Sequence, residues 1–199
     1  MEALLRAACE IAHPFRSATV ARYIGLLAVT GMRAGEAIAL DYEDIDWSEG
    51  LLTIRNAKFG KSRELALHPS TVDALRDYDL HRRHLAPKAR SGAFFVSTVG
   101  GRLEYNNVQR IFHRLTRLAG IAPRSPRCRP GLHGFRHTFA VNTILDWYRA
   151  GLDVAQRMHL LSTYLGHTQP SHTYWYLSAT PELFALVGQR LSVQLGELP

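Results

Sequence analysis

Residues 51–67, LLTIRNAKFGKSRELAL, decide what kind of fold this chain can adopt. LLTIR and RELAL are short strand-like runs, and the connection NAKFGKS between them carries a glycine, so the stretch reads as a β-hairpin. Lys58 and Lys61 then sit at the hairpin tip or just beside it. Around the hairpin the spacing is helical. Upstream, apolar residues recur at helical intervals over 2–12 and 18–30, separated by the breaker HPFRS. Gly31 reads as a helix terminus, and a fresh helix runs from about Arg33 to Leu40. Downstream, PSTVDALRDYDLHRR is a helix opened by proline, AFFVS is a brief strand, and VQRIFHRLTRLAG is a helix capped by Asn106 or Asn107. Helices resume with HGFRHTFAVNTILDWYRAG, DVAQRMHLLSTYLGH, a short aromatic segment and PELFALVGQRLSVQL. The predicted class is mostly α with a small antiparallel β-sheet (α+β), in one domain.

Composition narrows the partners. The 199 residues are 46% hydrophobic, enough to bury a core, and their formal charge of +7 suits a polyanion such as nucleic acid. Of the 24 basic residues only Lys58, Lys61 and Lys88 are lysines. They stand out chemically, because a lysine can release a proton near neutral pH and an arginine cannot. Cys9 and Cys128 are isolated, without metal spacing, as expected of free thiols in a reducing compartment. YIGLLAVTGM is about half a membrane span, so the expectation is a soluble, cytoplasmic protein.

Several residues could carry chemistry. His133 and Arg136 are three apart on one helix and share a face, with His137 beside them. Arg33 and Glu36 have the spacing of a simple ion pair. Two arginines converging on one phosphate would instead grip its oxygens and stabilise a pentacoordinate transition state without a metal. Arg110, Arg114 and Arg117 fall at i, i+4 and i+7 and share one face, either merely solvated or contacting DNA phosphates. The stretch LGHTQPSHTYWYLSAT, residues 165–180, holds Tyr174 and Tyr176, which cannot share a helix face, so at most one enters a given site. His133, His137, His159, His167 and His172 come with neither HExxH nor CxxC, and a metal site is not expected.

In order, the motifs are TGMRAGE, a hairpin lysine, LHGFRHTFA, LGH and a tyrosine nine residues beyond that histidine. This set resembles the catalytic domain of the tyrosine recombinases, the phage integrase family, from about residue 17 to residue 186. The wording around TYWYLSATPEL is similar to integrases of transposons and other mobile elements. The resemblance implies that Arg33 and Arg136 clamp the scissile phosphate, with Glu36 buttressing the first arginine or the adjacent histidine. It implies that His133 assists proton removal and that His167 hydrogen-bonds a phosphate oxygen. Lys58 would protonate the departing 5′ oxygen, with Lys61 its rival. Tyr176, or failing it Tyr174, would be the nucleophile, with Trp175 and Tyr174 holding the tyrosine helix in place. No cofactor is implied, since one phosphodiester is exchanged for another.

The resemblance also carries expectations about assembly. Residues 1–199 would form a single catalytic domain, with the family's amino-terminal core-binding domain absent. The partner would be double-stranded DNA, bound by a homo-tetramer on paired sites, with a monomer when free. The last helix, PELFALVGQRLSVQL, would dock on a neighbouring subunit or pack on its own domain. Two other activities share these residues: a non-cleaving DNA-binding regulator of a mobile element, and a relaxing enzyme of the type IB topoisomerase kind.

Overall fold

The computed structural model describes residues 1–55, 62–85, 92–123, 125, 129–167, 169 and 171–178. Eight α-helices and three strands are found among them. In chain order they are α1 (Glu2–Cys9), α2 (Pro14–Thr30), α3 (Ala34–Ala39), β1 (Ile45–Asp46), β2 (Leu51–Ile54), β3 (Arg63–Ala66), α4 (Pro69–Leu85), α5 (Tyr105–Leu118), α6 (His133–Arg149), α7 (Val154–Leu165) and α8 (Ser171–Tyr174). Single 3-10 turns cover Tyr42–Asp44 and Trp175–Ser178. Among the described residues no helix is long and apolar enough to cross a membrane. The chain divides into two compact units, Met1–Arg136 and His137–Pro199.

In the first unit the hairpin forms as expected. The strand order is β1-β2-β3, antiparallel throughout. The register sets Ile45 opposite Leu52 and Leu52 opposite Leu65, so one apolar row crosses all three strands and is buried. Because successive strand residues point to opposite faces, Arg63 shares Leu65's face. Lys58 and Lys61 lie outside the described residues.

The segment read as strand AFFVS is a buried bend. Only Ala93 and Val96 make β-bridges, to Asp41 and Arg102. Residues 93–96 are all fully buried, which a strand exposing alternate residues could not achieve. Phe94 and Phe95 instead fill an aromatic cluster with Tyr78 and Tyr23, at centroid distances of 5.0 to 5.6 Å.

Helix ends differ from expectation where capping was misjudged. HPFRS is not a five-residue break: His13 caps α2 through its ring nitrogen, and Pro14 takes the first helical position, where its missing N–H costs nothing. Helix α5 starts at Tyr105, so Asn106 and Asn107 lie inside its first turn and Glu104 occupies the capping position. Arg33 and Leu40 cap α3 rather than belonging to it. Gly31 ends α2 with φ of 60°, a left-handed conformation that a side chain would strain.

In the second unit, Ala140, Val141, Ile144 and Leu145 of α6 and Val154, Met158, Leu161 and Leu165 of α7 form one core. Helical spacing on both helices puts these residues on one stripe each. Asp153 caps α7 by accepting from the Gln156 N–H, and Gly166 ends it with φ of 68°. The expected final helix lies outside the described residues.

Candidate active site

The first unit gathers its charged residues at the α2–α3 junction. Turning the chain at Gly31 leaves that residue's carbonyl to accept from Nη1 of Arg136 at 3.1 Å. Arg136 is only 1% exposed, so its charge is deeply buried and its guanidinium is held in place. Two residues beyond Gly31, Arg33 caps α3, and Glu36 at the third helical position reaches back to it. Glu36 Oε2 accepts the Arg33 backbone N–H at 2.8 Å, and Oε1 accepts from Arg33 Nη1 at 2.8 Å.

Glu36 has a second partner that sequence reasoning missed. Arg63 of β3 grips it bidentately, Nη1 to Oε1 at 3.0 Å and Nη2 to Oε2 at 2.9 Å. Burial pushes the Glu36 carboxyl up, but the Arg63 hydrogen bonds, the Arg33 N–H and the two positive charges outweigh it and hold the group below its ordinary value. One signal was available in the sequence. Alternation in RELAL sets Arg63 on the face of Leu65, and a charge on a buried strand face demands a partner.

His133 opens α6, one helical turn before Arg136. It keeps an exposed edge. Partial burial first, then the charges of Arg136 and Arg33, hold its pKa below the usual histidine value. It is therefore neutral at pH 7 and able to accept a proton. Arg33, Glu36, Arg63, His133 and Arg136 thus form one charged neighbourhood within the first unit.

The second unit holds a different group. His167 follows the left-handed turn at Gly166, and its Nδ1 is 2.7 Å from Oγ1 of Thr173, a residue with no solvent exposure. The His167 ring stacks on Tyr176 with centroids 6.1 Å apart and planes 18° from parallel. His137 meets Tyr176 from another side at 5.5 Å. Tyr176 belongs to the core and is 3% exposed, whereas Tyr174 is 48% exposed. The two tyrosines therefore face differently, as their spacing required. Tyr174 and Trp175 are 48% and 62% exposed, and the Trp175 ring lies 5.7 Å from that of Tyr176. His137 is a ring neighbour of Tyr176 that sequence reasoning missed, and Thr173 is a missed partner of His167.

On α5, Arg110, Arg114 and Arg117 are all exposed, while Val108, Phe112, Leu115 and Thr116 turn inward. Arg110 and Arg114 also line a cleft of about 550 Å³ with Arg16 of α2 and Arg102. Arg102 is tied to Asp41, whereas Arg110 donates to Asn107 of its own helix.

The first unit thus holds a buried arginine, a partly exposed one and a histidine of lowered pKa at a helix junction, and the second, taken by itself, holds a packed tyrosine after a Gly-His turn. The chain belongs to the phage integrase family, whose pattern it matches over residues 1–182. It is 44% identical over 168 residues to the integrase/recombinase y4rB of Sinorhizobium fredii, which covers 84% of this chain and 54% of that protein. The chain thus spans about half the length of the curated relatives it first matches. Its fold superimposes on XerA recombinase with a TM-score of 0.71 at 24% identity, over 97% of this chain and 61% of that one. A second solved relative, XerH site-specific recombinase bound to palindromic difH substrate in a post-cleavage complex, gives a TM-score of 0.70 at 24% identity, over 98% and 50%.

Proposed function

We propose that this chain is the catalytic domain of a site-specific DNA recombinase that cuts and rejoins strands through a 3′-phosphotyrosyl intermediate. The observation that carries the reading is the junction at Gly31–Glu36, where Arg136 and Arg33 are both fastened. Two guanidinium groups held at one place suit the nonbridging oxygens of a phosphodiester, whose charge grows in the transition state. Preorganisation of this kind acts without reorganisation at the moment of reaction.

The Tyr176 hydroxyl attacks phosphorus, and its proton passes to neutral His133. The bond to the 5′ oxygen breaks, and that oxygen takes a proton from Lys58 or, as the rival assignment, Lys61. His167, its ring fixed by Thr173, donates a hydrogen bond to a phosphate oxygen. The reverse attack by the 5′ hydroxyl of a partner strand restores the diester. Since bonds of similar energy are exchanged, neither nucleotide hydrolysis nor a metal is required. Residues 1–199 act as one catalytic domain, Arg110, Arg114 and Arg117 bind backbone phosphates of duplex DNA, and strand exchange takes place in a homo-tetramer on paired sites built from free monomers.

Supercoiled plasmid incubated with the protein in EDTA and quenched with SDS tests the reading. Relaxed circles and protein-linked DNA are expected for the wild type, and neither for Tyr176→Phe. Intact DNA binding without any adduct would favour the non-cleaving regulator instead. Relaxation without exchange between two duplexes would favour a topoisomerase.

A further inference from the structure

We propose that Arg63 is a positioning residue for the phosphate clamp, fixing Arg33 through Glu36 and keeping the Glu36 charge from cancelling that of Arg33. The inference rests on the function proposed above. A carboxylate offers about four acceptor positions. Glu36 fills four, two with Arg33 and two with Arg63. Both the backbone and the guanidinium of Arg33 therefore hang on one carboxylate, and the orientation of that carboxylate is set by the planar fork of Arg63.

Charge leads to the same conclusion. Arg33 and Glu36 alone sum to zero, which would leave the guanidinium a weak anion ligand. Adding Arg63 returns the trio to a net charge of +1. Arg63 is itself poorly placed to touch DNA, because its side chain is 12% exposed against 28% for Arg33. It stands on β3, on the face of Leu65, and reaches α3 through its contact with Glu36.

Arg63→Met and Arg63→Lys, each with and without Glu36→Gln, separate positioning from structure. The readouts are Tyr176-dependent adduct formation on supercoiled plasmid at saturating protein, DNA affinity across a salt series, and the His133 titration followed by NMR. Arg63→Met is expected to slow adduct formation on the order of 100-fold, the cost of a misplaced clamp, with DNA affinity within about twofold and an unchanged salt slope. Arg63→Lys, which keeps the charge but can fill only part of the fork, falls between. Adding Glu36→Gln to Arg63→Met restores part of the loss, because the uncompensated negative charge is gone. The His133 pKa rises in Arg63→Met, since Arg33, when held in place, is one of the two charges that add to burial in depressing it. Wild-type adduct rates in Arg63→Met, or a loss of salt slope matching a direct phosphate contact, overturn the proposal. Should Arg63→Met not fold, Arg63→Lys against its Glu36→Gln double variant makes the same distinction. If the wild type forms no adduct, the proposed function fails, and the His133 titration alone decides whether Arg63 positions Arg33.

Discussion

The arginine site of the first unit and the tyrosine site of the second are built by opposite means. Around Glu36 every acceptor position is filled by a charged or backbone donor, and the groups are locked by hydrogen bonds of 2.8 to 3.0 Å. Around Tyr176 the contacts are rings, His137, His167 and Trp175, set on an aliphatic core. Under the proposed function, the first arrangement holds charge ready before substrate arrives. The second packs Tyr176 at 3% exposure on the short Trp175–Ser178 turn. Under the proposed function, one half of the chemistry is held by charge and hydrogen bonds and the other by packing.

The largest expected effect tests the packed half. Tyr176→Phe abolishes adduct formation, yet it keeps the ring and so moves thermal stability by less than about 1 kcal/mol; Tyr174→Phe leaves adducts intact. The next tests the preorganised half. Arg33→Ala lowers the cleavage rate at saturating DNA by roughly 10²- to 10³-fold, as loss of a transition-state donor does elsewhere.

Acidity tests the first unit by itself. The folded first unit resists protonating His133, so below the unfolded value of about 6.5 the unfolded chain gains a proton that the folded one refuses. Stability and cleavage rate therefore both fall as pH drops below that value. Glu36 is shifted in the same sense but in a lower window: its stabilisation is complete above the unfolded value of about 4.3 and is lost as pH falls through its depressed folded value. Thermal melts across pH, with His133→Gln as the control that removes the upper step, check both.

Thr173→Val keeps the shape of a buried side chain but removes the oxygen that orients His167. Cleavage is expected to slow by roughly three- to tenfold, the scale of one hydrogen bond worth about 1 kcal/mol. The smallest effect on chemistry is expected from Arg110, Arg114 and Arg117. Each change to alanine reduces the salt dependence of DNA binding by about 0.9 in log–log slope, with little change in rate at saturation.

Legibility followed contact range. Arg33 with Glu36 was readable because a capping residue and the third helical residue meet locally, and His133 with Arg136 because a helix brings residues three apart together. The hairpin was readable from its flanking runs and glycine. AFFVS was misread because four successive apolar residues suit a buried strand and a buried bend equally, and spacing alone cannot separate them.

By itself the sequence determined the family, the class of fold, the charge that suits a polyanion and the local pairs along each helix. Tertiary structure alone decided that Arg63 meets Glu36 across 27 residues, that Arg136 is fastened to Gly31 across 105, and that Tyr176 rather than Tyr174 is packed inward. Helical period and turn chemistry are short-range and repeat from protein to protein. Contacts between distant segments depend on strand register and on how side chains fill a shared core, and no spacing along the chain encodes either.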